Sequence, residues 1–153
     1  MPETAEQIAA LPLRWNTAGE LKVLMVTSRD TGRWVMPKGW EMDGKKPWRA
    51  AEIEALEEAG AKGYISKDII GTYGYKKRLT KDESVWCTVR VYPMIVEKLK
   101  RDWKERHQRK RHWFTPESAA ARVHEEALAE LLIGLERKPK KDPILKALLK
   151  NAR

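Results

Sequence analysis

A single cysteine, Cys87, occurs in the 153-residue chain, so no internal disulfide can form, and a reducing cytoplasmic compartment is expected. No apolar run approaches the roughly 18 residues that a membrane-spanning helix needs. The opening residues, MPETAEQIAA, are acidic where a secretory signal would be basic and then apolar. The histidines at 107, 112 and 124 lack the paired spacing of a zinc site, and no CxxC motif occurs. These absences argue against a disulfide-rich secreted domain, a membrane span and a structural zinc.

Positive charge is what the chain has in excess. Lysine and arginine total 31 against 22 aspartate and glutamate, which gives a formal net charge of +9 and a pI of about 9.7. Such a balance indicates an anionic partner, which could be nucleic acid, a membrane surface or a polyphosphorylated small molecule. Charge alone does not choose among these, and the oligomeric state stays open.

The periodicity and turn signals predict several strands with helices between and after them. Strands are predicted at 11–16, 20–29, 33–37, 64–79, 84–99 and 111–114, and helices at 47–59, in ESAAARV after Thr115-Pro116, at 125–137 and in PILKALLKNAR. This order favours an α+β or α/β/α fold. Residues 1–137 are predicted to form one domain, and residues 138–153 a basic linker and a short helix that docks on it.

The helix predicted at 47–59 is unusually acidic for so basic a chain. Pro47 suits its first position and Gly60 the position just past its end. At about 100° per residue, Glu54, Glu57 and Glu58 share one face within an arc of about 100°. Neighbouring carboxylates repel each other by some tenths of a kcal/mol per pair, and a hard divalent cation would remove that cost. The alternative is a solvated acidic face neutralised by nearby lysine and arginine.

The residues around this helix resemble the Nudix box. Its pattern runs Gly, five residues, Glu, seven residues, Arg-Glu-apolar-x-Glu-Glu-x-Gly-apolar, and the positions that match here are Gly39, Glu54, Ala55, Glu57, Glu58, Gly60 and Ala61. Two positions depart from it: Lys45 stands where the pattern has its first glutamate, and Ile53 stands where it has arginine. In the family that arginine is thought to orient a helix glutamate, so the departures put the strength of the activity in question.

The resemblance implies a Nudix-type α/β/α sandwich with a central mixed sheet and a loop–helix–loop motif that holds Mg²⁺ or Mn²⁺. The implied reaction is hydrolysis of a phosphoanhydride, in which metal ions bridge phosphate oxygens and activate a water. Glu54, Glu57 and Glu58 would then be catalytic residues and metal ligands, with the Gly39 carbonyl as a fourth ligand. The general base would be one of these carboxylates or another in the 76–84 turn.

Residues 98–114 form a second notable segment, KLKRDWKERHQRKRHWF. Its basic residues number eight and are Lys98, Lys100, Arg101, Lys104, Arg106, Arg109, Lys110 and Arg111. With interleaved tryptophans this composition also suits nucleic-acid binding, and a solvated loop is the plainer alternative. A catalytically degenerate Nudix-fold protein that binds nucleotide or RNA is therefore the second hypothesis.

Within the Nudix group the chain resembles the diphosphoinositol polyphosphate phosphohydrolases. The matching stretches are TSRDTGRWVMPKG, AGAKG and the Asp-Trp and Arg-Lys-Arg-x-Trp-Phe parts of the basic segment, with Trp40 in place of a family glycine. This implies a small anionic substrate with several phosphates, such as a diphosphoinositol polyphosphate or a dinucleoside polyphosphate. Residues expected near its pocket are Ser28, Arg29, Lys38, Arg109 and Arg111.

Overall fold

The computed structural model describes residues 4–137 and 142–151, which build a mixed sheet between two layers of helices. The strands are β1 (Thr4–Trp15), β2 (Leu21–Thr27), β3 (Trp34–Val35), β4 (Lys38–Trp40), β5 (Ala61–Ile65), β6 (Gly71–Arg78), β7 (Ser84–Leu99) and β8 (Arg111–Phe114). The helices are α1 (Pro47–Ala59), α2 (Pro116–Arg122), α3 (Glu126–Arg137) and α4 (Pro143–Asn151). The predicted α+β sandwich is confirmed.

Strands β1 and β7 form the middle of the sheet and run parallel, with Ile8 opposite Arg90. The other edge of β1 pairs antiparallel with β2 at its carboxyl end and with β4 at its amino half. Strand β2 in turn pairs with β3 and β8. Both β5 and β6 pair antiparallel with β7. The short strand β4 therefore hydrogen-bonds to the sheet centre directly before the loop that leads to α1.

Apolar residues cover both faces of this sheet, as expected for strands buried between two helical layers. On one face the alanines of α1, among them Ala51 and Ala55, pack against a cluster with Ile8 and Met94. On the other face, leucines of α3 and α4 pack against Leu11, Val89 and their neighbours. Leu145 and Leu148 of α4 are buried against the domain, whereas residues 138–141 of the predicted linker lie outside the described residues.

The segment predicted as one strand at 64–79 is wrong as a single element, because it forms parts of β5 and β6. Both halves pair with β7, and the Ser66 hydroxyl bridges the gap between them by bonding to the backbone of Asp68. Pro93 sits opposite this gap, where its carbonyl accepts from the Ser66 N–H at 2.9 Å. Since the N–H and C=O of a strand residue face the same side, the donor that proline lacks would also face the gap. Pro93 is therefore tolerated in a central strand.

Two further boundaries differ from the predictions. Strand β1 begins at Thr4, seven residues before the predicted start at 11, and its middle is buried on both faces. The predicted strand at 33–37 is shorter in the structure, where it is β3. A strand that was not predicted, β4, follows Met36-Pro37 and pairs with β1, whereas β3 pairs with β2. Helix α1 has the predicted bounds, and Gly60 ends it in the left-handed conformation with φ of 65°. In the described part of the chain no helix is long and apolar enough to cross a bilayer.

Candidate active site

A cleft of about 500 Å³ opens between α1, the β3–β4 segment and the loop after β7. Of the predicted site residues, all but Arg111 line this cleft. They are Gly39 and seven residues with longer side chains: Ser28, Arg29, Lys38, Glu54, Glu57, Glu58 and Arg109. Four further lining residues that matter below are Gln7, Glu41, Lys77 and Glu105. We refer to this space as the acidic cleft.

Gly39 brings the backbone of β4 against the carboxyl group of Glu54. A Cβ atom at position 39 would lie 2.7 Å from the Glu54 carboxyl carbon, which is closer than real Cβ contacts. Only glycine permits this approach, because it has no side chain to displace the carboxylate. The register that sets Gly39 opposite Ile8 fixes the loop in this place. The Gly39 backbone and the first carboxylate of the predicted trio are therefore neighbours.

Glu54, which is half-buried, and Glu58, which is buried, form a carboxyl pair one helical turn apart. Burial raises the pKa of both carboxyls, and a hydrogen bond between the two side chains raises the pKa of Glu58 further. The nearby guanidinium of Arg109 opposes this effect on both. The pair thus holds a proton more firmly than ordinary glutamates do, as is typical of carboxylates that share a site. Glu58 also accepts from the Lys38 backbone N–H at 3.4 Å.

Arg109 supplies the buried positive charge of this site. Its guanidinium lies 3.6 Å from a Glu58 carboxylate oxygen and 2.8 Å from one of Glu105, and it also donates to the Thr27 carbonyl at 3.0 Å. Its side chain is 9% exposed and that of Glu58 is 6% exposed, so water screens the pair little. One arginine therefore links β2, the loop after β7 and the acids of α1.

Glu57 faces a different partner from the other two acids. Its carboxylate lies 3.5 Å from the ammonium of Lys104, and its side chain is 33% exposed. Among residues 4–137 and 142–151, no three histidine, cysteine, aspartate or glutamate side chains converge closely enough to form a ready metal-binding group. The donor chemistry nevertheless fits Mg²⁺ or Mn²⁺, because carboxylate oxygens and a backbone carbonyl are the ligands these ions prefer. The Glu54–Glu58 pair is the part that is already assembled.

Segment 100–111 binds the carboxyl end of α1. The Glu105 N–H donates to the Glu57 carbonyl, the Trp103 indole N–H to that of Glu58, and the Lys100 N–H to that of Gly60. Arg111 donates to the Ala59 carbonyl at 2.8 Å and stacks on the Trp103 ring at 3.8 Å. Four consecutive carbonyls that a helix end leaves without intrahelical partners are thereby satisfied. Trp103 and Arg111 of the basic segment therefore stabilise the carboxyl end of α1.

Arg111, which the sequence placed near the pocket, does not line the acidic cleft. Its guanidinium lies behind the helix end, where a Cβ atom at Gly60 would meet it at 2.8 Å. The sequence gives no sign of this, because the two residues are about fifty positions apart. We therefore assign Arg111 to the support of α1 and drop it from the substrate-binding set.

Replacing Arg111 by alanine is expected to lower the stability of the fold by about 1–3 kcal/mol, since it removes a hydrogen bond to a helix carbonyl and a cation–π contact. Thermal unfolding monitored by circular dichroism measures this. Arg101→Ala, at an exposed position of the same segment, is the matched control and should change stability by less than about 0.5 kcal/mol. Equal unfolding temperatures for the two variants would contradict the support role.

Lys38 lies at the end of the acidic cleft that is nearest to β6. Its burial lowers the pKa of its ammonium group, against the raising effect of Glu58 and Glu125. The ammonium lies 5.4 Å from the centre of the Tyr75 ring. Ser28 and Arg29 lie on the opposite rim, where the Ser28 hydroxyl accepts from the Asp30 N–H at 3.3 Å and Arg29 contacts Glu105 at 3.7 Å.

Sequence reasoning missed Gln7, Glu41, Lys77 and Glu105 as cleft residues. Gln7 and Glu41 lie at the cleft because β1 pairs with β4, and Lys77 lies there because β6 pairs with β7. No local sequence motif therefore marks these residues. Glu105 had a usable signal: it is one of only two acids within the basic segment at 98–114, and it is buried. The acids of the 76–84 turn, considered as a source of the general base, do not line the cleft.

Residues 6–133 match the family defined by the NUDIX domain. The human diphosphoinositol polyphosphate phosphohydrolase 3-alpha is 32% identical over 142 residues, which cover 87% of this chain and 82% of that protein. Nudix hydrolase 12, mitochondrial, of Arabidopsis thaliana is 34% identical over 103 residues, 65% of this chain and 51% of that protein. The chain therefore spans about half the length of the Arabidopsis relatives that it matches.

Solved structures show the same fold. A NUDIX hydrolase from Nitrosomonas europaea superposes with a TM-score of 0.67 at 19% identity and covers 95% of this chain and 96% of its own. An Ap4A hydrolase of C. elegans gives a TM-score of 0.65 at 19% identity, covering 88% of this chain and 98% of its own. At such identities the likeness concerns the fold alone.

Proposed function

The chain belongs to the NUDIX family, and from that membership we propose that it is a metal-dependent hydrolase that cleaves a phosphoanhydride bond in a highly phosphorylated small molecule. The observation that carries the proposal is the pair formed by half-buried Glu54 and buried Glu58, with Gly39 against Glu54 and Arg109 beside Glu58. Two acids so close together and shielded from water are costly unless cations or protons compensate their charge. The place of this pair at the floor of a cleft fits a role in chemistry.

The oxygen donors proposed to hold Mg²⁺ or Mn²⁺ are Glu54, Glu57, Glu58 and the Gly39 carbonyl. When bound, such an ion supplies charge neutralisation for phosphate oxygens and a water of lowered pKa. The proton shared by Glu54 and Glu58 would leave when the ligands take up the ion, so binding should tighten as the pH rises. Glu57 would exchange its exposed contact with Lys104 for a place in this set.

The remaining polar residues of the cleft are proposed to bind and orient the substrate. Arg29 and Lys38 offer positive charge to phosphate oxygens, and the Ser28 hydroxyl can donate to one. Arg109 holds Glu58 and Glu105 in fixed orientations, so we assign it to positioning in addition to any contact with phosphate. Orientation of the reacting atoms by such fixed groups is a large part of phosphoryl-transfer catalysis.

The human relative that this chain matches over 87% of its length supports the proposed substrate class. The human protein at 32% identity is named for diphosphoinositol polyphosphates, and such molecules carry several phosphates that suit a cleft bordered by lysine and arginine. The alternative, a degenerate protein that grips RNA through residues 98–113, has less support. Lys104, Arg106 and Arg109 of that segment pair with acids, and Arg111 holds α1.

A substrate panel tests the proposal. The purified protein is incubated with Mg²⁺ or Mn²⁺ and with diphosphoinositol polyphosphates, dinucleoside polyphosphates, ADP-ribose and nucleoside triphosphates, and released phosphate or nucleotide is measured. We expect turnover of at least one multiply phosphorylated anhydride, and its loss in EDTA. The absence of cleavage throughout the panel, together with salt-sensitive RNA binding, would favour the alternative.

A further inference from the structure

Gln7 is a buried amide in the wall of the acidic cleft, and the proposed chemistry gives it no role. It is 3% exposed, yet it lines the cleft. A polar side chain buried so deeply normally has its hydrogen-bonding atoms paired, because an unpaired atom has lost its bonds to water without replacement. Each of the two polar atoms of this amide therefore needs a partner.

The oxygen of the amide has its partner within the protein. The Tyr75 hydroxyl donates to the Gln7 Oε1. Burial raises the pKa of this hydroxyl, so it keeps its proton and remains a donor at physiological pH. The Tyr75 ring stacks on that of Tyr73 at 6.4 Å between centroids and lies 5.4 Å from the Lys38 ammonium. The bond therefore fixes which end of the amide is the acceptor and where its nitrogen lies.

The nitrogen of the amide, Nε2, carries two N–H donors and bonds to no acceptor among the described residues. Within that part of the chain, the one side-chain nitrogen or oxygen that is both fully enclosed and unpaired is the Nε of Arg90. The Gln7 Nε2 is thus unpaired without being enclosed, and the space it opens onto is the acidic cleft. A ligand with an acceptor atom at that place would complete the hydrogen bonds of the amide.

The sheet holds this donor in a fixed place and on a definite side of β4. Strand β1 pairs at Gln7 with β7 on one edge and with β4 on the other, where Trp40 lies opposite. Paired residues project from the same face of a sheet, and neighbours along a strand from opposite faces. Gln7 and Trp40 therefore share one face, whereas a Cβ atom at Gly39 would point at Glu54 from the other. The amide consequently faces the part of the cleft that lies away from the acids of α1.

The groups around Gln7 leave its donor available to a ligand. Trp40, which stands in place of a family glycine, is 45% exposed and lies 5.6 Å from the Lys77 ammonium, measured to the ring centre. Glu41, the next residue after it, is an acid that could accept from the amide, but it pairs with Arg90. An aromatic ring, a cation and an unpaired amide donor thus border this part of the cleft.

We propose that Gln7 is a specificity-determining residue whose amide donates to an acceptor atom on the part of the substrate that is not attacked, and that Tyr75 is its positioning residue. This inference rests on the proposed function. Because Tyr75 occupies Oε1, a substrate that presents a donor or an apolar group here leaves the amide unpaired and is bound less well. The acceptor is either a phosphate oxygen of a compact polyphosphate or an atom of the base or ribose of a dinucleoside polyphosphate.

Gln7→Met tests the contact, because methionine has nearly the same length and no donor. The probes are diadenosine tetraphosphate, diphosphoinositol pentakisphosphate and inorganic pyrophosphate. Calorimetry in EDTA gives dissociation constants, and rates with Mn²⁺ give KM and kcat. We expect binding of at least one of the two larger probes to weaken, and its KM to rise, by roughly 3- to 15-fold, as loss of one neutral hydrogen bond does, with kcat within about twofold.

The probes also separate the two sources of the acceptor. Pyrophosphate has no part beyond its anhydride, so its binding should be the same in Gln7→Met as in the wild type. A change that includes the diphosphoinositol identifies a phosphate oxygen. A change confined to diadenosine tetraphosphate identifies an atom of the base or ribose.

Tyr75→Phe tests the positioning. Alone it should raise the affected KM by about 2- to 5-fold, and in the Gln7→Met background it should add nothing, because the amide through which it acts is gone. The double variant replaces both partners of one hydrogen bond by apolar groups of similar shape, so its unfolding temperature should equal or exceed that of the wild type. Tyr64→Phe, the same change at an exposed position outside the cleft, is the control and should bind all probes as the wild type does.

Unchanged binding and KM for both larger probes in Gln7→Met would overturn the inference, and so would an equal loss for pyrophosphate. A double variant that unfolds at a lower temperature, or whose two effects on KM simply add, would show that Tyr75 does not act through Gln7. Failure of the proposed function looks different: the wild type cleaves no anhydride with any metal, while the calorimetry still decides whether Gln7 contacts a ligand. Neither binding nor cleavage by the wild type would overturn both.

Discussion

Glu58→Gln is expected to reduce phosphoanhydride hydrolysis by roughly 100-fold or more, the scale on which catalytic carboxylates usually contribute. Glutamine keeps the size of the side chain and can still accept from the Lys38 N–H, but it cannot carry the negative charge that a divalent ion needs. The loss should therefore appear in kcat at saturating metal. Initial rates on the best substrate of the panel measure it.

Glu52→Gln is the matched control, because it makes the same chemical change on the same helix. Glu52 pairs with Arg49 on the exposed side of α1 and lies outside the acidic cleft. Its activity should equal that of the wild type within about twofold. If Glu58→Gln retained the wild-type rate, the assignment of the carboxyl pair to catalysis would be wrong.

Metal-free stability provides a second readout for the same variant. Burial and the bond to Glu54 raise the pKa of Glu58 above its ordinary value of 4.5. A carboxyl whose pKa is raised on folding stabilises the fold fully only below its unfolded pKa, and this contribution is lost as the pH rises toward the folded pKa. Glutamine resembles the protonated acid at every pH. In EDTA the variant should thus gain stability relative to the wild type between pH 5 and 8, while Mn²⁺ should stabilise it less.

Arg109→Lys is expected to lower both activity and stability, although it preserves the charge. The guanidinium reaches Glu58, Glu105 and the Thr27 carbonyl at once, and a lysine ammonium lacks the planar fork that does so. Loss of one partner of a buried ion pair typically costs about 3–5 kcal/mol, and the retained charge should reduce this to a fraction. We expect a 10- to 100-fold fall in kcat, of the size seen when groups that orient ligands are removed.

A double-mutant cycle with Glu58→Gln separates positioning from general destabilisation. If Arg109 acts through Glu58, the two changes together should cost less than their sum, with a coupling of about 0.5–3 kcal/mol in stability. Ile53→Arg in the Arg109→Lys background adds a guanidinium at the position where the box pattern has one. Partial recovery of kcat there would support a positioning role, and strict additivity in the cycle would oppose it. Lys110→Arg, at an exposed neighbouring position, is the control.

The bounds of α1 could be predicted because their determinants are local. Pro47 and Gly60 each restrict the backbone at one position, and the structure uses both as expected. The acid face of the helix follows from the same periodicity. The break between β5 and β6 could not be predicted, since it depends on Ser66 and Pro93 meeting across two strands. Both stretches have strand-like composition, so no local signal separates them.

The candidate site was predictable where the Nudix-box motif or the wider resemblance to the family covered it, and the wider resemblance indicated Ser28, Arg29, Lys38 and Arg109. Gly39 and the three glutamates come from the loop and helix that resemble the Nudix box. Arg109 and Glu105 lie about fifty residues after the glutamates of α1 in the sequence. Their salt bridge with each other depends on how the loop after β7 folds back. Arg111 shows the limit of composition as a guide: two arginines in one basic run have opposite surroundings, one in the cleft and one behind the helix.

The hydrogen bonds between the last turn of α1 and segment 100–111 have a consequence for how the proposed substrate preference could change. Carbonyls of residues 57–60 are all tied to that one segment, so an insertion or deletion there would tilt the helix and misalign its acids. Substitutions that change the substrate preference are therefore expected on the wall opposite α1, along β3 and β6. The lining residues there can vary without moving the acids of α1.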